Sequence, residues 1–267
     1  MPPKKKTSTF FGTNLPSVYL TRFVFSFAES LFWYVWMSFI GPSAGVLLYG
    51  ADAQYKLGIP RNIKFFIVTW VMTVIYFDVF ARGNCITPAS ATINFLQKRI
   101  GLTETIVDSV AVYSAAVTVG IVSRHLPLYI RRFSFFAWHH EELFVGQPHW
   151  WFFVEFLASF GCAACLVVGT YVGPSIRSWR YIEFTYVTML LTLSLDYTLG
   201  GSQINAAYSL MCGIHKGDVQ TGLLFAAANQ VGVIAAQLTF APSPGSVLKL
   251  EKEKKASTRN STKKKEN

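Results

Sequence analysis

Two polar, glycine-bearing breaks, each cut into an apolar run, constrain this chain more than any other feature. One is Asp196 to Met211, DYTLGGSQINAAYSLM, and the other is Asp78 to Ile93, DVFARGNCITPASATI. In register they agree at Asp78 and Asp196, Gly83 and Gly201, Ile86 and Ile204, Thr87 and Asn205, and Ala89 and Ala207, each pair 118 positions apart. Five matches in one register imply an internal duplication. Backbone without helical partners is tolerated at membrane depth only inside protein or beside water. A matched pair of breaks therefore marks where a duplicated membrane fold lines a path. A short helix restarting at each break aims its unpaired N–H groups into that cavity.

The composition agrees with a bilayer as solvent. Hydrophobic residues make up 52% and charged residues only 14% of the 267, with a mean hydropathy of +0.35. A soluble domain carries about 25% charged residues. The length suits one compact bundle. The net charge of +10 comes mostly from Lys4 to Lys6 and the tail from Lys249 to Lys265. Such ends suit solvent beside an anionic leaflet better than nucleic acid. Cys162 and Cys165 lie inside one apolar segment with no His nearby, which suggests packed thiols rather than a metal or redox pair. No glycine loop for phosphate and no nucleophile–base pair is visible, so neither an enzyme nor a cofactor is expected.

Along the chain, residues 1–16 are a basic segment, 17–240 a channel-like domain with repeats at about 17–122 and 150–240, and 241–267 a basic tail. Spans are expected at 18–40, 63–81, 105–122, 150–172, 181–195 and 219–240, the first long enough to cross a bilayer with tilt. A break with its half-helix is expected at 83–97, a second half-helix at 206–214, and a long connection at 123–149. The expected fold is all-α, six transmembrane helices plus two re-entrant half-helices. Three and a half elements per repeat force the two repeats into opposite orientation. Most Lys and Arg fall on one side if both termini are cytoplasmic, through Lys4 to Lys6, Arg22, Lys98, Arg99, Arg177, Arg180 and the tail.

This arrangement resembles the major intrinsic proteins, the aquaporin family, over roughly residues 18–240. That family carries Asn-Pro-Ala at each half-helix. The matching triplets here are Thr87-Pro88-Ala89 and Asn205-Ala206-Ala207, so both depart from the signature. Glu29 and Glu155 match the family's acids in the first and fourth spans, whose side chains brace the re-entrant loops there. The altered triplets and basic tail are similar to the unorthodox branch, the superaquaporins and small basic intrinsic proteins. The final Lys264-Lys265-Glu266-Asn267 resembles a dilysine retrieval signal of endoplasmic reticulum membrane proteins.

The resemblance implies a homotetramer of passive channels for water or small neutral solutes. Asn205 would donate to a passing solute, with a hydroxyl at Thr87 in place of the first amide. Two helix N-termini at that point would repel cations. Pro88 suits a first helical turn, whereas Ala206 lacks that stiffening, so a less rigid start is expected for the second half-helix. The family's filter arginine is replaced by Tyr208. With Ser202, Ile67 and Leu191 it would form an apolar filter favouring glycerol or hydrogen peroxide over water, or simply a plug. A non-conducting scaffold is the competing class. A third reading makes Asp78 and Asp196 vestibule acids on an ion or proton pathway, against a local ion pair of Asp78 with Arg82. Cys85 could be a pore-mouth thiol or a packed one. His215 is read as a surface-loop histidine more readily than a pH-sensing group. The aromatic stretches Phe32 to Tyr34 and Trp150 to Phe153 suit interfacial belts.

Overall fold

The computed structural model describes residues 15–40, 43, 67, 70–76, 87–131, 148–172 and 205–241. Among these residues every regular element is helical. Helix α1 spans Leu15–Val35 and tightens into a π-helical turn at Trp36–Ile40. Then come α2 (Pro88–Leu96), α3 (Leu102–His125), the short α4 (Leu128–Arg131), α5 (Pro148–Val172), α6 (Ala206–Lys216) and α7 (Val219–Phe240). Residues 70–75 are also helical, inside the second expected span. Three stretches, Val18–Ile40, Leu102–His125 and Val219–Phe240, are long and apolar enough to cross a membrane. The chain is a helical membrane protein. The third expected span proves longer at both ends, because Glu104 opens the helix and Arg124 and His125 close it. Acids at a helix start and bases at its end both favour the macrodipole.

Helix directions follow from which ends meet. Arg22, early in α1, donates to Asp108 at 2.9 and 2.6 Å and to Glu104 at 3.1 Å, both early in α3. Helices α1 and α3 therefore run parallel. Glu155 and Ser159 of α5 lie against Asn229 of α7, and the Phe160 ring meets that of Phe240 at a tilt, 5.7 Å between centroids, so this pair is parallel too. Between the pairs the sense reverses. Arg124, at the end of α3, approaches Gly217, just before α7. Gln97, just before α3, reaches Gln237 near the end of α7 at 3.4 Å.

The buried faces of these two antiparallel helices repeat one another. Asp108, Val112, Ala115 and Gly120 of α3 are buried, and so are Phe225, Asn229, Gly232 and Gln237 of α7, each 117 positions later. Tyr113 and Gln230 are likewise 117 apart, and Gln230 accepts from Thr92 of the short helix α2. Small residues let α7 approach α5 and α3 approach α6 closely, as is usual where lipid removes the ordinary hydrophobic incentive. A Cβ on Gly232 would stand 2.6 Å from the Phe156 carbonyl oxygen, and one on Gly120 would stand 2.9 Å from that of Met211.

The short helices cross between the pairs. Helix α2 packs on α3 and α7, α6 packs on α7 and α3, and α2 and α6 touch each other. Helices α6 and α7 are joined by Gly217 and Asp218 alone. Gly217 takes φ +83°, and Asp218 accepts from the Thr221 N–H to cap α7. The left-handed conformation is why glycine stands there.

Candidate functional site

Each short helix begins at the triplet that the sequence singles out. Thr87 is extended (φ −131°, ψ 150°), and its hydroxyl accepts from the Ser90 N–H at 3.2 Å. Pro88 follows as the first helical residue, where its missing N–H costs nothing. Asn205 is also extended (φ −149°, ψ 113°), and its Oδ1 accepts from the N–H groups of Ala207 at 3.0 Å and Tyr208 at 3.2 Å. With Oδ1 spent on the cap, Nδ2 points its two donors away from the helix and makes no hydrogen bond among the described residues.

The first turns of the two helices enter one buried cluster. Ala91 and Ala207 are fully buried there with Val112, Ala115, Ala116 and Tyr34. Ala206 is likewise buried, while Ala89 packs on a second cluster around Ile93, Ala163 and Val233. Nine residues of α2 rise about 13 Å, which is roughly half a hydrocarbon core. Its far end connects within a few residues to the start of α3.

Tyr208 sits in the first turn of α6 with its ring 6.3 Å from that of Tyr34, packed on the cluster beside the π-helical turn. The Ser38 hydroxyl of that turn lies 3.9 Å from the Met211 sulfur. The ring is thus packed inward against α1. Ile67 stands 42% exposed and is absent from the residues packed on the cluster that receives Tyr208. Ser202 and Leu191 lie outside the described residues, as do Cys85, Asp78, Asp196, Lys264 and Lys265.

The two span acids have different surroundings. Glu29 has both carboxylate oxygens buried and without a hydrogen bond, while its backbone carbonyl accepts from the Tyr76 hydroxyl at 3.2 Å. Glu155 is fully buried, and its Oε1 accepts from Ser159 at 3.3 Å and Asn229 at 3.4 Å. The loops that the resemblance would have them brace fall outside the described residues.

His215 departs from its expected surface loop. It is a buried residue of α6, and its Nδ1 lies 2.9 Å from the Ser123 hydroxyl of α3. That hydroxyl donates to the Gly120 carbonyl, so it accepts from a proton on Nδ1. Helix α6 continues two residues beyond its expected end, which carries the ring into the α3 interface. Cys162 and Cys165 are half-buried thiols, and no group of metal ligands forms among the described residues.

Sequence reasoning missed the Arg22–Asp108–Glu104 cluster. Asp108 is almost fully buried, and Ser26 donates to it at 2.9 Å as well. The available signal was an acid inside an apolar helix, which requires a partner, together with an arginine in the first span.

No protein-family model matches the sequence, and no curated protein matches it.

Proposed function

We propose that the chain is a passive channel of the aquaporin fold, conducting water or small neutral solutes such as glycerol and hydrogen peroxide. Six spans and two re-entrant half-helices would form an inverted repeat, assembled as a homotetramer in the endoplasmic reticulum or another internal membrane, with both termini cytoplasmic. One observation carries the reading. The two short helices, capped by Thr87 and Asn205, begin in a shared buried cluster and cross onto an antiparallel pair whose buried faces repeat at 117 positions. The unspent Nδ2 of Asn205 supplies donors where a solute would pass. The deciding experiment is stopped-flow swelling of proteoliposomes with water, glycerol and peroxide, using Asn205→Asp as the comparison. Flux that the substitution abolishes is expected. Flux indifferent to it would place any pore elsewhere.

A second reading has its own observation. The inward packing of Tyr208 on Tyr34 and its cluster favours a filled path and a non-conducting membrane scaffold. Folded protein with no flux above empty liposomes would select it.

A further inference from the structure

The two short helices differ in the face that runs away from their caps. A helix turns about 100° per residue, so positions three and seven after the cap fall on one side with it. In α2 these positions are Ser90 and Asn94, following Thr87. In α6 they are Tyr208 and Cys212, following Asn205. The α6 pair is filled in, with Cys212 fully buried and Tyr208 packed on the same cluster. The α2 pair is polar and only half-buried.

The rest of α2 is accounted for by its neighbours. Ala91 faces the cluster shared with α1, α3 and α6. Ala89 and Ile93 face α5 and α7. Thr92 donates to Gln230 of α7 at 2.9 Å. Ser90 and Asn94 lie between these contacts, on the side that no described helix covers. The side-chain partner of Ser90 is Thr87, hydroxyl to hydroxyl at 3.0 Å, and Asn94 makes no side-chain hydrogen bond among the described residues. Whichever hydroxyl donates in that pair, Ser90 Oγ accepts at most once and keeps a lone pair open. A polar face of this kind in a membrane helix belongs beside water or a polar solute rather than lipid.

We propose that Ser90 and Asn94 line the wet half of the path, between the α2 cap and Lys98, and select uncharged solutes that both donate and accept hydrogen bonds. The solute class rests on the channel reading above; the lining does not. Ser90 offers an acceptor, Asn94 both kinds of group, and Asn205 across the break two donors. The face carries no charge between Thr87 and Lys98, so it gives an ion no partner. The two halves of the path are therefore unlike. The α2 half is polar and open, and the α6 half is narrowed by an aromatic ring.

The test is cysteine accessibility in proteoliposomes with a charged, membrane-impermeant methanethiosulfonate. The baseline is the wild type, whose reactivity its four native cysteines set. Ser90→Cys and Asn94→Cys are expected to react several-fold faster than Ile93→Cys, whose position is 6% exposed in the α5–α7 cluster. Modification should also block whatever flux the protein carries. Ser90→Ala should lower peroxide and water flux several-fold while sparing an acceptor-only solute such as dimethyl sulfoxide, and Ser90→Thr should restore it. Cysteines at 90 and 94 no more reactive than at 93 would overturn the lining. An equal loss for both solute kinds would overturn the selectivity. Fast modification of a protein with no flux would keep the lining and overturn the channel reading together with its solute class.

Discussion

At the residue scale, buried polar groups are the most exacting features of this molecule. Asp108 receives two hydrogen bonds from Arg22 and one from Ser26, at a site only 2% exposed. Removing the cation strands a carboxylate inside an apolar pair of helices. We expect Arg22→Ala to cost about 3 kcal/mol, the lower end of the range for a broken buried pair because the arginine is itself 31% exposed. Thermal unfolding in detergent would measure it, and Arg22→Leu combined with Asp108→Leu should recover most of the loss. The caps are milder. Thr87→Ala removes the acceptor for the Ser90 N–H and should cost about 1 kcal/mol in the same assay. Ala206→Pro, at a first helical position whose N–H has no helical partner, should raise stability by roughly 0.5 kcal/mol. A fall in melting temperature would mean that the Ala206 backbone cannot take proline's φ.

At the element scale, close approach decides the packing. Helices α5 and α7 meet where Gly232 lies under the Phe156 carbonyl, so Gly232→Ala must push them apart. We expect a loss of about 1–3 kcal/mol, read from the melting temperature, with Ala235→Gly, one helical turn away and half-buried, costing about 1 kcal/mol through backbone entropy alone. The start of α2 at Pro88 and of α6 at Ala206 was legible in the sequence because caps are local chemistry. A Thr-Pro or Asn followed by small residues stops one conformation and starts another within a single turn. The sixth span was legible as well, since Asp218 and Phe240 bound it as expected. The pairing of helices was not. Arg22 reads as one more basic residue near the N-terminus until α3 is laid beside α1. His215 reads as a loop residue until α6 is carried past its expected end. Ser90 and Asn94 looked like ordinary helical polar residues, because only the positions of α3, α5 and α7 show which face stays uncovered.

At the scale of the whole molecule, the short helices tie the two parallel pairs together: α2 packs on α7, and α6 on α3. Chains covering 1–140 and 141–267, co-expressed, should therefore associate without a covalent link and co-purify in detergent, whereas Gln230→Leu, which strips the acceptor for the Thr92 hydroxyl, should weaken that association. Equal recovery of the wild-type and variant pairs would show that this central contact is dispensable. The same crossing has a consequence in time. Helix α2 ends at Leu96 and its partner α7 begins at Val219, a separation of 123 positions (219 minus 96), so α3 can cover one side of α2 at once while the α7 side waits. At about 5–20 residues per second that is roughly ten seconds. Throughout that interval Thr92 lacks Gln230, its hydrogen-bond partner on α7. Assembly of this protein is thus paced by α7, and a chain truncated before it leaves the Thr92 side of a half-length helix without its polar partner.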